Sequence, residues 1–277
     1  MYGFGIPAAD DTGGFFELGR AVAHCLLVDT GEGLALIDTG WGMRDCTDPS
    51  PPVRRFMDGS RSPRDLDETA YRQIEALGYD PADVKHIFLT HLHMDHAGGL
   101  PDFPAATVHV FADELEACLD RPTMLDWLTL AYRPEHRAHG PRWQPCTLQG
   151  DRWFGLDCAP PIRVGEAEFV FVPLPGHSRG HCGIALRVGD RWLLHCGDAY
   201  VYHRQVGLMQ PYRHPCGKLA ETIQSKMAKI PRRHWRRIRE LKRLHGDRIQ
   251  VFCAHDAQEL RQCQMGEPGG SRTPLPG

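Results

Sequence analysis

The feature that most constrains this 277-residue sequence is the run His91-x-His93-x-Asp95-His96, which directly follows the apolar segment 84–89. Alternate residues of an extended segment face the same side, so His91 and His93 can bind one ion together. Asp95 and His96 stand where the chain turns and can face a second position. Buried polar groups without partners are costly, so this run would make a poor core. It predicts a metal site at the end of a strand.

Three further candidate ligands occur later in the chain. A catalytic metal ion usually takes about three protein ligands and keeps one position open for water, so four residues cannot complete two such sites. His177, Asp198 and His255 each stand in a loop just after a predicted strand. Alone, a His or Asp in a glycine-flanked turn is typical of a cap or turn residue. Together with the first run, the three predict a centre for two ions.

Hydrophobic periodicity and turn residues predict strands and helices that alternate along the whole chain. Asp80-Pro81 has the pattern of a helix start. Residues 41–64 and 120–160 are rich in residues that disfavour regular structure, and we predict a long loop and an irregular insertion with some helix. The strands are predicted at 23–28, 34–37, 84–89, 107–111, 168–172, 182–188, 191–195 and 249–253, and the helices at 65–77, 113–119 and 231–244. This pattern predicts a single α/β domain of packed layers over residues 1–265, with a disordered tail at 266–277.

Composition and charge exclude several classes of protein. The formal net charge is −3, so no global field points to nucleic acid or a membrane surface. No apolar run of about 18 residues predicts a membrane-spanning helix, and no secretory signal is visible. The ten cysteines form no C-x-x-C pair, and we expect reduced thiols in a cytoplasmic protein.

The order of these motifs resembles the five motifs of the metallo-β-lactamase fold, and the resemblance spans about 220 of the 277 residues. It implies a four-layer αββα sandwich with the metal site at one edge, between two sheets. The motifs are Asp38-Thr39-Gly40, the His91/His93/Asp95/His96 run, His177, Asp198 and His255.

The resemblance also implies a role for each candidate residue. His91, His93 and His177 would hold the first ion, Asp95, His96 and His255 the second, and Asp198 would bridge both, while Asp38 and His181 would support the ligands. Nitrogen and oxygen ligands without thiolate suit zinc, and iron, manganese or cobalt are also accepted. Two such ions, about 3.5–4 Å apart, would share a hydroxide at neutral pH. We therefore expect a hydrolase, in which Asp95 could accept a proton from the attacking water.

Among the subfamilies, the resemblance is closest to the N-acyl homoserine lactone lactonases. Broad-spectrum zinc β-lactamases lack the bridging Asp, glyoxalase II proteins need a helical domain after the last motif, and RNA-processing members need an inserted domain. In the lactonases a Tyr three residues past the bridging Asp assists the carbonyl oxygen, whereas this sequence has Val201 there. Tyr200 and Tyr202 flank that position, and either could replace the missing Tyr or simply pack.

We expect a small-molecule ester or lactone as substrate, with a thioester, phosphodiester or phosphotriester as alternatives on the same site. The segment 41–64 together with Trp127, Trp143 and Trp153 could line an apolar pocket or belong to the core. A homodimer is left open, and no membrane partner is expected.

An alternative hypothesis is a nucleic-acid-binding protein. It rests on the ten Lys and Arg residues from Lys226 to Arg248, which could contact nucleic-acid phosphates. However, Trp235, Ile238, Leu241 and Leu244 recur every three residues, which predicts one buried stripe. The charges then occupy the solvated face of a packed helix, and a nucleic-acid partner is not expected.

Overall fold

Two five-stranded sheets, packed face to face, carry most of the structure. The computed structural model describes residues 2–7, 18–119, 132–208 and 231–265. The first sheet has the order β3-β4-β5-β6-β7 and the second the order β10-β11-β12-β13-β14. The strands are β1 (Tyr2–Pro7), β2 (Leu18–Ala21), β3 (Leu26–Asp29), β4 (Leu34–Ile37), β5 (Val84–Phe88), β6 (Thr107–Phe111), β7 (Arg142–Cys146), β8 (Asp151–Trp153), β9 (Leu156–Cys158), β10 (Ile162–Val164), β11 (Ala167–Pro173), β12 (Cys182–Val188), β13 (Arg191–His195) and β14 (Ile249–Phe252).

Helices cover the outer face of each sheet. α3 and α5 pack on the first sheet, where Ile74 and Cys118 join the apolar cluster of that face. α6 packs on the second sheet through Trp235, Ile238 and Leu241. The described α-helices are α1 (Met43–Thr47), α2 (Pro51–Ser60), α3 (Ala70–Ala76), α4 (Met94–Ala97), α5 (Ala112–Leu119), α6 (Arg232–His245) and α7 (Ala257–Met265). The predicted αββα sandwich is confirmed.

The alternation of side chains along the strands explains why the sheets pack on two faces. On β11, Phe169 and Phe171 point between the sheets, whereas Val170 and Val172 point toward α6. The ring of Phe88 on β5 stacks on Phe169 with centroids 3.9 Å apart, which joins the two sheets directly. Residues two apart share a face of a strand, so apolar residues at every position of a strand predict a sheet that is covered on both sides.

The strand directions bring the candidate ligand loops to one edge. β4 and β5 are parallel in the first sheet, and β13 and β14 are parallel in the second. β11 runs antiparallel to β12, which runs antiparallel to β13, so β11 points the same way as β13. The carboxyl ends of β5, β11, β13 and β14 therefore lead into the segments that hold the predicted ligands.

The prediction of a long loop over 41–64 is wrong, because α1 and α2 occupy most of it. Pro51 stands at the first position of α2, where its missing N–H costs no hydrogen bond. Val53 and Met57, four residues apart, are fully buried and pack with Trp41. The prolines led to the prediction of a loop, although the segment forms the amphipathic helix α2.

The predicted irregular insertion over 120–160 is also wrong for its described part, since β7, β8 and β9 lie in it. Residues 120–131, with Trp127, lie outside the described residues. Trp153 belongs to the core, with its ring 5.6 Å from that of Trp192, and Trp143 packs partly buried on the first sheet. Both tryptophans therefore pack in or against the apolar clusters of the two sheets.

Smaller differences concern the ends of elements. The predicted helix over 65–77 is a short 3-10 turn, Leu66–Glu68, followed by α3, with Thr69 capping the latter. Asp80-Pro81 begins a single 3-10 turn. Leu244 is 52% exposed and does not continue the buried stripe of α6. None of the helices in the described ranges is long and apolar enough to cross a membrane. The predicted tail at 266–277 lies outside these ranges.

Candidate metal centre

The seven predicted ligand side chains meet at the edge between the two sheets. Their donor atoms form three overlapping groups, within each of which all atoms lie within 4.8 Å of one another. The groups are His91, His93 and His177; His91, His96 and Asp198; and Asp95, His96 and His255. The first group matches the predicted first ion and the third matches the predicted second ion. Asp198 belongs to the group that connects them.

Three of the histidines are oriented by hydrogen bonds on the ring nitrogen that points away from the cluster. Nδ1 of His255 donates to the carbonyl of Val22 at 2.7 Å. Nδ1 of His96 lies 2.9 Å from a carboxylate oxygen of Asp38. Nδ1 of His91 lies 3.0 Å from the hydroxyl of Thr90. A proton on each Nδ1 leaves the lone pair of each Nε2 directed into the cluster, as metal-binding histidines require.

Buried polar atoms inside the cluster test whether a metal fits. Nε2 of His91, Nε2 of His96 and Oδ1 of Asp198 are buried and have no hydrogen-bond partner within the described part of the chain. Such atoms are rare in folded proteins and need an explanation. Nε2 of His177 also lies 2.9 Å from Nδ1 of His93, so a proton or a cation must stand between two nitrogen lone pairs. These residues fit one or two metal ions.

The pKa shifts divide the proposed ligands into two groups. Burial, followed by the neighbouring imidazoles, lowers the pKa of His91 and His93 well below the usual range, so both are neutral. Burial alone would raise the pKa of Asp198, but the imidazoles of His255 and His96 hold that pKa well below its usual range. Neutral imidazoles and an ionised carboxylate are the forms that bind metals. The carboxylates of Asp198 and Asp95 outweigh burial and raise the pKa of His96 well above its usual range and that of His255 to about 9, so a metal ion must displace a proton from each.

Asp198 lies at the centre of the arrangement. Its Oδ2 is 3.1 Å from Nε2 of His255 and 3.2 Å from Nε2 of His177. Its Oδ1 is 3.2 Å from Nε2 of His96, an ion-pair distance at which the angles do not make a hydrogen bond. The two oxygens therefore reach toward ligands of both predicted ions, as a bridging carboxylate must.

Asp38 lies on the first-sheet side of the cluster. It follows β4 and accepts hydrogen bonds from the backbone N–H and the hydroxyl of Thr90, both at 2.8 Å, and from His96. Its backbone has a φ of 56°, in the left-handed region that Asp tolerates better than most residues. One carboxylate thereby orients the residue before His91 and the ring of His96.

His181 lies on the second-sheet side of the cluster, and both of its ring nitrogens contact backbone groups. Its Nε2 accepts the backbone N–H of Asp198 at 2.8 Å, and its Nδ1 donates to the carbonyl of Leu174 at 3.1 Å. Gly197, with a φ of 50°, allows this approach, because a Cβ there would lie 2.6 Å from Nε2 of His181.

Glu114 is a buried carboxylate beside the ligand loops that the sequence analysis did not single out. It is fully buried near the start of α5 and accepts hydrogen bonds from the backbone N–H of Leu92, the hydroxyl of Ser178 and the backbone N–H of Gly180, at 2.9, 2.6 and 3.0 Å. One carboxylate thus joins the loop of His91 and His93 to the loop of His177. The sequence signal for this residue was a carboxylate on the apolar face of a short predicted helix.

The structure does not bring Tyr200 to the cluster. This residue is fully buried in the apolar cluster beneath α6, and its hydroxyl donates to the carboxylate oxygens of Glu259 at 3.0 Å. Burial raises the pKa of that Glu259 carboxyl to about 7. The expectation that Tyr200 could assist the substrate oxygen is corrected by this position. Tyr202 is mostly buried with its ring 4.6 Å from that of His203, and its catalytic role stays a prediction.

Solvent reaches the cluster from the side of His93 and His177, which are partly exposed, whereas His91, His96 and His255 are buried. Tyr132 lies on this open side, with its ring 5.8 Å from that of His93. The sequence analysis did not single out this aromatic residue, because it stands far from every motif.

Known proteins are similar to this chain in sequence and in fold. A family model described as the metallo-beta-lactamase superfamily matches residues 18–112. A probable metallo-hydrolase of Mycobacterium tuberculosis is 42% identical over 239 residues, which cover 85% of this chain and 74% of that protein. A solved N-acyl homoserine lactone hydrolase aligns over 92% of this chain and 90% of its own, with a TM-score of 0.59 and 19% identity.

Two relatives of named activity are similar over shorter stretches. The N-acyl homoserine lactonase AttM of Rhizobium radiobacter is 30% identical over 158 residues, which cover 56% of this chain and 56% of that protein. The acyl-coenzyme A thioesterase MBLAC2 of Homo sapiens is 30% identical over 194 residues, which cover 66% of this chain and 60% of that protein.

Proposed function

Because the chain belongs to the metallo-beta-lactamase superfamily of metal-dependent hydrolases, we propose that it holds two divalent metal ions and hydrolyses a lactone or carboxylic ester. The observation that carries the proposal is the convergence of seven donor side chains, three of whose buried donor atoms have no hydrogen-bond partner among the described residues. A donor set of imidazoles and carboxylates suits zinc first, with iron, manganese or cobalt as alternatives.

The assignment of ligands follows the geometry of the cluster. His91, His93 and His177 would hold one ion, Asp95, His96 and His255 would hold the other, and Asp198 would contact both. Such ions supply Lewis acidity that makes water nucleophilic at neutral pH and polarises a carbonyl oxygen.

The chain's own residues position these groups and move the proton. Asp95 is the proposed proton acceptor, because its carboxylate stands beside the cluster, 3.7 Å from Nε2 of His255, and is 12% exposed. Asp38 and His181 keep His96 and Asp198 in place through the hydrogen bonds described above. Fixed donors and acceptors reduce the reorganisation that the reaction would otherwise require.

The lactone is the first substrate class to test. The similarity to the lactonase AttM and the matching ligand order support it. Val201 stands where the lactonases carry a Tyr, so the substrate oxygen needs another partner. Tyr202 remains the proposed candidate from this loop, since Tyr200 is engaged with Glu259.

A thioester is the second candidate, and a specific observation favours it. The similarity to the thioesterase MBLAC2 covers a larger share of this chain than the similarity to AttM does. Ester, lactone and thioester hydrolysis all need water to attack an acyl carbon, so one site serves each of them.

The experiment is proton release by the metal-loaded protein on a long-chain N-acyl homoserine lactone in weakly buffered solution. His93→Ala, which removes one proposed ligand, is the control for contaminating hydrolases. We expect acid release that the variant loses. No release from protein with two metals per chain would reject the lactone, and aryl esters and short thioesters assayed alongside would then decide the substrate class.

A further inference from the structure

Helix α6 carries a row of arginines along its exposed side. Arg232, Arg236, Arg239 and Arg243 are spaced by four, three and four residues, which places them on one face of a helix. The opposite face, with Trp235 among its residues, is buried against the second sheet. Within the described residues, Arg236, Arg239 and Arg243 form no ion pair with a carboxylate. These three arginines therefore form a strip of positive charge that no carboxylate of the described residues neutralises.

The first turn of α6 is attached to two of the ligand loops. Nε2 of His234 lies 2.8 Å from the carbonyl of Pro175, two residues before His177. The indole N–H of Trp235 donates to the carbonyl of Ala199, next to Asp198, at 3.0 Å. The buried face of this turn therefore contacts the ligand loops, and the arginine row begins on the opposite side of the same turn. The row is about 16 Å long, at a rise of about 1.5 Å per residue.

A groove runs beside the row. It is lined by Gly207 and Leu208, which follow the Asp198 loop, and by Arg236, Arg239, Glu240 and Arg243 of α6. Nε of Arg239 donates to the carbonyl of Trp235 at 3.3 Å, which restricts that side chain. Three guanidinium groups outnumber one carboxylate, and guanidinium groups bind phosphate oxygens with paired hydrogen bonds.

We propose, on the basis of the function proposed above, that the row binds the phosphates of a thioester's leaving group. The matching chemistry is that of coenzyme A, in which a phosphorylated nucleotide stands at the far end of a long arm from the thioester. In the reaction, water adds to the acyl carbon, the C–S bond breaks, and the products are a carboxylate, the free thiol and one proton. The row thus selects substrates by their leaving group.

Nucleic acid fits the same row less well. The row is one helix wide and includes Glu240 in its groove, and the chain as a whole has a formal net charge of −3. Surfaces that bind nucleic acid usually extend a basic patch over a larger area. The connection of the first turn of α6 to the ligand loops also favours a molecule that reaches the metal centre.

The test compares two thioesters of one acyl group, a coenzyme A thioester and an N-acetylcysteamine thioester, which lacks the nucleotide. The variant combines Arg236→Gln, Arg239→Gln and Arg243→Gln in the full metal-loaded chain. The matched control combines Arg233→Gln and Arg237→Gln, which are exposed residues of α6 outside the row. We expect the wild-type preference for the coenzyme A thioester to fall at least tenfold in the triple variant, through KM, and to persist in the control.

A binding measurement makes the outcome independent of turnover. Calorimetric titration with coenzyme A should show at least tenfold weaker binding by the triple variant than by the control. Equal preference and equal binding in both variants would overturn the proposal. So would loss of duplex-DNA binding by the triple variant with unchanged coenzyme A binding.

The failures of the two proposals are distinguishable. Hydrolysis of lactones or esters with neither thioester cleaved would keep the proposed function and overturn the leaving-group inference. No hydrolysis of any of these substrates would reject the proposed function, and the calorimetric comparison would still decide whether the row binds the nucleotide.

Discussion

The first sheet contributes four candidate ligands from the single stretch His91 to His96, whereas the second contributes three from loops that are distant in sequence. His177, Asp198 and His255 follow β11, β13 and β14, and these strands meet only in the folded sheet. A ligand set within six residues keeps its spacing through local backbone geometry. The other set depends on tertiary contacts. The metal centre therefore has two halves: a local half, whose ligands are close in sequence, and an assembled half, whose ligands meet only in the folded protein.

Two carboxylates contact segments of both ligand sets, and substitutions of these residues test the division most strongly. Asp198 reaches from the second sheet toward His96 of the first. Glu114 reaches from the first-sheet side to Ser178 and Gly180. Residues that act within one half, such as Asp38, should have smaller and more local effects.

Asp198→Asn should have the largest effect. Asparagine keeps the size of the side chain but removes the charge and one acceptor oxygen, so neither proposed ion keeps its shared ligand. We expect turnover to fall by about a thousandfold, beyond the 10–100-fold typical of residues that only support a ligand, with less than two metals per chain. Metal content by mass spectrometry and turnover check this. Asp190→Asn, at an exposed turn beside β13, is the control. Full metal content with an unchanged rate would refute the bridge.

Glu114→Gln should come next, because it weakens the link between the halves. The amide offers one acceptor oxygen to three donors, so at least one buried donor loses its partner, at about 1–3 kcal/mol of unfolding free energy. We expect metal affinity to fall about 10–100-fold for both ions together. Thermal unfolding and competition with a chelator measure the two effects. Glu116→Gln, exposed on the same helix, should behave as wild type. Wild-type affinity in Glu114→Gln would mean that the halves hold their positions independently.

Asp38→Asn should act mainly on one ion. Asparagine tolerates the left-handed backbone of this position, so the loss is restricted to hydrogen bonds with Thr90 and His96. We expect about tenfold weaker binding of the ion assigned to Asp95, His96 and His255, and a smaller change for the other. A zinc titration that resolves two steps checks this. Equal weakening of both steps would show that the first-sheet stretch responds as one unit.

The same division explains what could be predicted from sequence. The His91 to His96 run was recognisable alone, because its ligands share one short segment. His177, Asp198 and His255 gained meaning only from their order and their places after strands, and the structure brings all three to the cluster. Glu114 was missed, because a carboxylate on the apolar face of α5 is a weak signal alone and its three partners come from two separate loops.

Two wrong predictions of secondary structure have a similar physical origin. The helix α2 was hidden by prolines that tertiary packing tolerates at a helix start. The strand β7 was missed because, among the described residues, it pairs with β6 alone at the edge of the sheet, where its residues are exposed or half-exposed and lack a clear alternation. In both cases local composition indicated a loop, and long-range packing determined the element.

Tyr200→Phe should have the smallest effect. It tests whether neighbouring residues of one loop have different roles, one at the metal centre and one in the core. Asp198 and Tyr200 are two residues apart, yet one faces the cluster and the other donates to Glu259 in the core. Removing the hydroxyl should lower the free energy of unfolding by about 1 kcal/mol and change turnover by less than about twofold. Tyr202→Phe, measured beside it, tests the remaining tyrosine. A large loss of turnover in Tyr200→Phe with unchanged stability would place its hydroxyl on the substrate. If neither variant lowers turnover, the substrate oxygen is held by another group, and Tyr132, beside His93 on the open side, becomes the next residue to change.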